Sequence, residues 1–144
     1  MHLQQVDVTG ARIVGAITKE LGFDGPKHHA VILGKNIFDG EIYIAELMSH
    51  GYQITTYTDF HRRYAGNGQI RLEPNQGPNS NAQVAQRALS EVKQGNAAYD
   101  LVVNNCESFA NRAIHGNSTS SQVINTALGL AVIVSVYYVL KNTK

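Results

Sequence analysis

The stretch HHAVILGKNIFDGEIYIAEL, residues 28–47, decides the fold because it contains two short apolar runs joined by a polar turn. The runs HHAVILG (28–34) and EIYIAEL (41–47) are rich in β-branched and aromatic residues, which favour strands. The connection carries Asp39 and Gly40, which are typical of turns. The stretch therefore predicts an antiparallel β-hairpin.

Further strands are predicted on the C-terminal side of this hairpin. YQITTY (52–57) has strand composition, and residues 69–72 form a shorter fourth strand. Between them, Thr58 is expected to cap a short helix. On the N-terminal side, residues 13–21 fit either a strand or a helix.

Two longer helices follow. The first begins at Ser80, which forms a capping box with Gln83, and ends at Gly95. The second carries Cys106 in its first turn and ends at Gly116. Apolar residues recur at helical spacing in both. The sequence thus predicts an α+β fold with a small antiparallel sheet and helices.

Composition limits the function. A chain of 144 residues with 43% hydrophobic residues is one compact domain. A net charge of +1 with 16% charged residues gives no basic face, which argues against nucleic acid as a partner. The single cysteine excludes an internal disulfide, and no Cys/His pattern has zinc-site spacing. Residues 1–15 lack the features of a secretory signal, so we expect a reducing, cytoplasmic location for the domain.

Cys106 is the first candidate for chemistry. Backbone N–H groups and the helix dipole at the first turn stabilise a thiolate and lower the thiol pKa from about 8.5. The adjacent Glu107 acts in the opposite direction, although neighbouring helical residues point to different faces. The alternative is that Cys106 is a small buried apolar residue.

His28, His29 and Glu46 are candidates for the groups that activate this thiol. The two histidines open the first hairpin strand, where alternation places them on opposite faces, so only one can face Cys106. That imidazole would act as a general base and then as a general acid. Glu46 could orient it through its second ring nitrogen, or could be a solvated strand carboxylate.

Several segments resemble the lecithin:retinol acyltransferase family. NCESFA (105–110) is similar to its N-C-E-H-F-[VA] box, and HHAVILG (28–34) to its H-[WYH]-[AG]-I-Y-x-G box. YIAEL (43–47) resembles the segment that carries its third polar residue. GNSTSSQV (116–123) is similar to a stretch of the phospholipase A/acyltransferase branch, the relatives of the H-Ras-like suppressors.

This resemblance implies a permuted papain-like fold of the NlpC-like superfamily. Carried over by position, it implies Cys106 as nucleophile, His28 as base and Glu46 as the orienting residue, with no metal or organic cofactor. His29 falls on the aromatic position of the histidine box. Two positions depart from the family pattern: Ser108 replaces a histidine, and Ile32 replaces a tyrosine.

The resemblance also implies a phospholipid or other acyl-ester substrate. The expected activity is that of an acyl hydrolase or acyltransferase of phospholipase A type, acting through an acyl-thioester on Cys106. One alternative is an NlpC-like cysteine peptidase or amidase, against which the missing export signal argues. The other is an inactive membrane-tethered binding module, which the departures at Ser108 and Ile32 suggest.

The C-terminal tail is the last distinctive segment. From Ala127 to Leu140 only Gly129 and Ser135 interrupt an apolar run. A helix over residues 122–140 would be about 28 Å long, close to the hydrocarbon thickness of a bilayer. We therefore predict a catalytic domain over 1–121 and a single membrane anchor over 122–144. A buried or amphipathic C-terminal helix is the alternative, and the sequence indicates no oligomeric state.

Overall fold

The computed structural model describes residues 3–4, 8–95 and 105–116. Within them, six strands and three α-helices form an α+β fold with one antiparallel sheet, as predicted. The strands are β1 (Leu3–Gln4), β2 (Arg12–Ala16), β3 (Lys27–Asn36), β4 (Ile42–Met48), β5 (Gly51–Thr56) and β6 (Arg71–Glu73). The helices are α1 (Tyr57–Tyr64), α2 (Asn81–Gln94) and α3 (Cys106–His115).

The sheet is built around β3. Its strand order is β5-β4-β3-β2-β6, and β1 pairs with the C-terminal end of β3. The predicted hairpin is confirmed as β3 and β4, with Ile32 opposite Ile44. The segment that fitted either strand or helix begins with β2, which lies between β3 and β6. Alternating side chains of the central strands therefore face helices on both sides of the sheet.

Each face of the sheet has its own hydrophobic cluster. On one face, Val31 and Leu33 of β3 pack with the apolar stripes of α2 and α3. On the other, Ala30 and Ile32 pack with Phe60 of α1. His28 and Glu46 have the same parity as Ala30 and Ile44, so the pleat places both side chains on the α1 face.

The helix caps explain where the helices begin. α1 begins two residues before the predicted position, because the extended Thr56 accepts the N–H of Asp59. Thr58 lies inside the helix, where its hydroxyl donates to Glu41. α2 has the predicted capping box of Ser80 and Gln83, and it ends at Gly95, whose φ of 59° favours glycine.

The predicted C-terminal hydrophobic tail, residues 122–144, lies outside the described residues, and so does the proposed boundary at 121. Among the helices that the structure describes, none combines the length and apolarity needed to cross a bilayer.

Candidate active site

Cys106 is the first residue of α3, and a reciprocal cap fixes this helix end. The Asn105 side chain accepts the N–H of Ser108 at 3.0 Å, and the Ser108 hydroxyl accepts the N–H of Asn105 at 2.8 Å. Ser108, which departs from the family pattern, thus completes a capping box. The cap holds Cys106 at the end of the sheet where β3 begins, with Sγ 3.8 Å from the carbonyl oxygen of Lys27.

The structure brings the three predicted site residues into one buried chain. The His28 Nε2 atom lies 2.7 Å from Glu46 Oε1, within hydrogen-bonding distance. The His28 ring also acts on the Cys106 thiol, because it lowers the pKa of the thiol while the pKa of His28 itself is raised. Because Nε2 is engaged by the carboxylate, Nδ1 is the ring nitrogen left to interact with the thiol. His28 is 5% exposed, Glu46 0% and Cys106 8%, so the chain is shielded from water.

The electrostatics of this chain favour a thiolate and an imidazolium. Burial raises the pKa of the Cys106 thiol, but the hydrogen bond from His28 and the backbone N–H groups of His29 and Glu107 outweigh it, so the pKa lies below its ordinary value. Burial lowers the pKa of His28, yet hydrogen bonds to Cys106 and Glu46 raise it above the ordinary value. Both shifts reduce the cost of moving the thiol proton to the imidazole.

The Glu46 carboxylate remains ionised because further donors surround it. Gln53, its cross-strand neighbour on β5, donates to Oε2 at 2.7 Å. Arg63 of α1 donates to the same oxygen at 2.6 Å. Burial raises the pKa of Glu46, but hydrogen bonds from His28, Gln53 and Arg63 lower it below the ordinary value. A hydrogen-bonded anion can therefore persist at this buried position.

Sequence reasoning missed Gln53 and Arg63 as site residues. The register of the β4–β5 pair, once known, places Gln53 opposite Glu46. The signal for Arg63 is weaker: it lies three residues after Phe60, so a helix that buries Phe60 also turns Arg63 toward the sheet.

The His28 ring is held by aromatic contacts on the α1 face. Its centroid lies 5.8 Å from that of Phe60 and 5.3 Å from that of Tyr64, in stacked geometry. Gly15 of β2, the cross-strand partner of His28, lets α1 approach closely. A Cβ atom at Gly15 would lie 2.8 Å from the Tyr64 Cβ. The absence of a side chain on β2 therefore lets the aromatic wall reach the imidazole.

His29 lies on the opposite face, as the alternation predicted. Its Nδ1 lies 3.2 Å from Arg12 Nη1, and because arginine only donates, Nδ1 is the acceptor. Nε2 then carries the proton and faces the Glu107 carboxylate at 3.5 Å. Burial and the charge of Arg12 lower the pKa of His29, which favours a neutral ring. The side chain of His28, rather than that of His29, is therefore the one that shifts the pKa of the thiol.

A cleft of about 380 Å³ opens beside Cys106, within the size range of small-molecule sites. Its walls come from the β2–β3 connection, the start of β3 and the first turn of α3, and include Ile17, Pro26, His29 and Glu107.

Ile32, the other departure from the family pattern, lies in the core beneath α1. Within the described residues, no cluster of three or more His, Cys, Asp or Glu side chains is suited to hold a metal ion.

A family model described as lecithin retinol acyltransferase matches residues 24–119, two thirds of the chain and a span that includes His28, Glu46 and Cys106. The chain belongs to the lecithin retinol acyltransferase family. Membership in this family indicates an activity of the acyltransferase or phospholipase type on lipid substrates. No curated protein and no solved structure matches the chain significantly.

Proposed function

We propose that this protein is a cysteine-dependent phospholipid acyl hydrolase or acyltransferase of phospholipase A type. The observation that carries the proposal is the buried chain from Cys106 through His28 to Glu46, at the end of a cleft in a member of a lipid acyltransferase family. A thiol that hydrogen-bonds to an oriented imidazole is an activated nucleophile for acyl transfer.

The reaction has two halves. His28 takes the Cys106 proton, the thiolate attacks the carbonyl carbon of a fatty-acyl ester, and a tetrahedral intermediate forms. The C–O bond then breaks, His28 returns the proton to the departing alcohol, and a thioester remains on Cys106. Water, or an amine or hydroxyl acceptor, attacks this thioester while His28 accepts its proton. The C–S bond then breaks, the acyl product leaves, and His28 returns the proton to the Cys106 sulfur. Glu46 stabilises the imidazolium in both halves.

The first turn of α3 supplies the electrostatic support for these steps. N–H groups at a helix N-terminus point toward the reacting atoms and stabilise developing negative charge. Because the capping box fixes this turn, the donors need no reorganisation when the oxyanion forms. Ile17, which is 47% exposed, offers the cleft an apolar wall suited to an acyl chain.

The finer assignments belong to the same proposal. The motif GNSTSSQV (116–123) supports the phospholipase A/acyltransferase branch, and the order of the histidine and cysteine elements supports a permuted papain-like arrangement. We further propose that residues 122–144 anchor the domain of residues 1–121 to a membrane from its cytoplasmic side. An anchor of this kind would turn the encounter with an insoluble ester into a two-dimensional search, which raises the effective concentration.

The test is intact-mass spectrometry of the full chain after brief incubation with phosphatidylcholine vesicles. We expect a fatty-acyl mass addition that hydroxylamine removes. The addition should be absent in Cys106→Ala and strongly reduced in His28→Gln. The matched control is His61→Gln, since His61 is an exposed histidine on α1, and it should retain the wild-type adduct.

An adduct that persists in Cys106→Ala would contradict the proposed nucleophile. Absence of any adduct, together with lipid turnover no faster than in vesicles alone, would contradict the lipid reaction. Cleavage of a peptide or amide substrate would then favour the cysteine peptidase alternative. A thiol that alkylates like an ordinary cysteine would favour an inactive binding module.

A further inference from the structure

We propose that Arg63 is a positioning residue of the candidate active site, whose charge balances the buried Glu46 carboxylate and thereby keeps Cys106 reactive near neutral pH. The inference rests on the proposed function in taking Cys106 and His28 as the reacting pair. Its geometric basis is the contact of Arg63 Nη2 with Glu46 Oε2 at 2.6 Å. The two carboxylate oxygens of Glu46 have different partners: Oε1 contacts His28, and Oε2 accepts a hydrogen bond from Arg63.

Arg63 is fixed in this orientation by contacts on every side. Its Nε donates to Asp59 Oδ2 at 2.9 Å, one helical turn earlier on α1. Its guanidinium lies over the rings of Phe60 and Tyr64, 5.6 Å and 5.0 Å from their centroids. These rings also stack on His28. Arg63 therefore contacts both the aromatic rings that hold the His28 imidazole and the Glu46 carboxylate that pairs with it.

The charge balance shows what Arg63 contributes. When the thiol proton moves to the imidazole, Cys106 becomes negative, His28 positive and Glu46 stays negative, which leaves one net negative charge in a site shielded from water. The positive charge of Arg63 brings the net charge of these groups to zero. Without it, the set would hold a proton more tightly, because removing a nearby positive charge raises the pKa of every group that it faces. The thiolate would then form only at higher pH.

Other charged groups around the Glu46–Arg63 pair modify this balance. The titratable or charged groups that contact the pair are His28 from β3, and Asp59 and Tyr64 from α1, while β5 contributes the uncharged Gln53. Cys106 of α3 interacts with His28 rather than with the pair itself. Asp59 is shared, because Arg62 also pairs with it from the solvent side. Asp59 therefore opposes Arg63 only in part.

The experiment measures the rate of Cys106 alkylation by iodoacetamide against pH in the full chain. We expect Arg63→Met to move the midpoint of the profile upward by about one unit, since the uncompensated Glu46 carboxylate then favours the protonated forms of the groups beside it. At pH values below both midpoints, alkylation should be about tenfold slower than in wild type. Arg63→Lys keeps the charge and should therefore have a midpoint close to that of wild type.

The matched control is Arg62→Met, since the adjacent Arg62 has a side chain that is 74% exposed and pairs with Asp59. We expect its midpoint to stay within a few tenths of a unit of wild type. Two further variants keep the test decisive if Arg63→Met does not fold. Arg63→Gln keeps a donor but no charge and should also raise the midpoint, whereas Asp59→Asn removes a negative charge and should lower it.

An unchanged midpoint in a folded Arg63→Met or Arg63→Gln variant would show that Arg63 only connects α1 to the sheet, and the proposal would be overturned. A fall in thermal stability without a shift in the profile would have the same meaning. Because alkylation needs no lipid, the result is independent of the acyl-adduct experiment. An adduct that persists in Cys106→Ala would sink the proposed function without altering the effect of Arg63 on the thiol.

Discussion

Glu46 carries a negative charge at a position with no access to water, and three donors make this possible. A neutral polar side chain at this position would need no permanent cation beside it. A carboxylate does need one, since an unpaired buried ion is very costly. Arg63 on the facing helix α1 therefore supplies the cation that Glu46 on β4 requires.

Replacing this carboxylate tests its contribution to stability. In Glu46→Gln, Arg63 loses its buried partner, and we expect the free energy of unfolding at pH 7 to fall by about 3 kcal/mol, as is usual when one member of a buried pair is removed. Urea unfolding at several pH values measures this change. The exposed variant Glu20→Gln serves as the control and should stay close to wild type.

The pH dependence of that difference follows from the lowered pKa of Glu46. The carboxylate contributes its full stability above its ordinary pKa of 4.5, and this contribution is lost as the pH falls through the lowered value. The gap between wild type and Glu46→Gln should therefore be widest above pH 4.5 and shrink below it. A gap that stays constant from pH 7 to the acid limb would contradict the ionised state of Glu46.

Helix α3 positions Cys106, the proposed nucleophile, and the first turn of the helix fixes that position. Ser108 lies where the family has a histidine, and its hydroxyl closes the capping box with Asn105. The departure thus has a local structural role that is independent of chemistry. A short polar side chain at this position supports the helix end directly.

The capping role makes a measurable prediction for Ser108→Ala. The variant should lose about 1 kcal/mol of unfolding free energy, because the N–H of Asn105 then lacks its side-chain acceptor. Chemical denaturation checks the value. Ser49→Ala, at an exposed turn, is the comparison and should change stability by a few tenths of a kcal/mol. Equal effects of the two substitutions would argue against the cap.

The close contact between β2 and α1 gives a second prediction at this scale. In Gly15→Ala, the new methyl group would lie 2.8 Å from the Tyr64 Cβ and 3.2 Å from the Phe60 Cε1, so α1 must move. We expect a loss of about 1–3 kcal/mol from overpacking and a change in the alkylation profile of Cys106, since α1 carries Arg63. Gly66→Ala has open space and should leave both measurements near wild type.

The sequence predicted those elements whose signals are local. The hairpin and the two longer helices follow from periodicity and caps within the 28–47, 80–95 and 105–116 segments. β2 was ambiguous because RIVGA is only five residues long, and its pairing partners lie outside its own segment. β6 is three exposed residues whose place depends on β2.

The residues of the site were likewise predicted only where the sequence carries a local signal. Helix position pointed to Cys106, and the family boxes distinguished His28 from His29 and assigned a role to Glu46. The contacts of Gln53 and Arg63 depend on how β5 and α1 pack against β4. No local sequence pattern encodes that packing, so these contacts are seen only in the folded structure.

For the whole molecule, the apolar segment at the C-terminus predicts membrane binding. We expect the full chain to cosediment with phosphatidylcholine vesicles and the double variant Val132→Asp/Val134→Asp to remain in solution. An aspartate near the centre of a spanning helix costs about 3 kcal/mol. Asn142→Asp, outside the apolar run, should cosediment like wild type. Retention of the double variant on vesicles would contradict the anchor and favour another mode of attachment.

The order of the elements along the chain also determines when the protein can become reactive during its synthesis. Cys106 lies 79 residues after Lys27, against whose carbonyl oxygen its thiol packs, and all six strands and α1 precede it. A ribosome therefore releases His28, Glu46 and Arg63 well before Cys106, the proposed nucleophile. The nascent chain can assemble the pocket for the thiol before Cys106 is synthesised, so reactivity can arise only once α3 packs against the sheet.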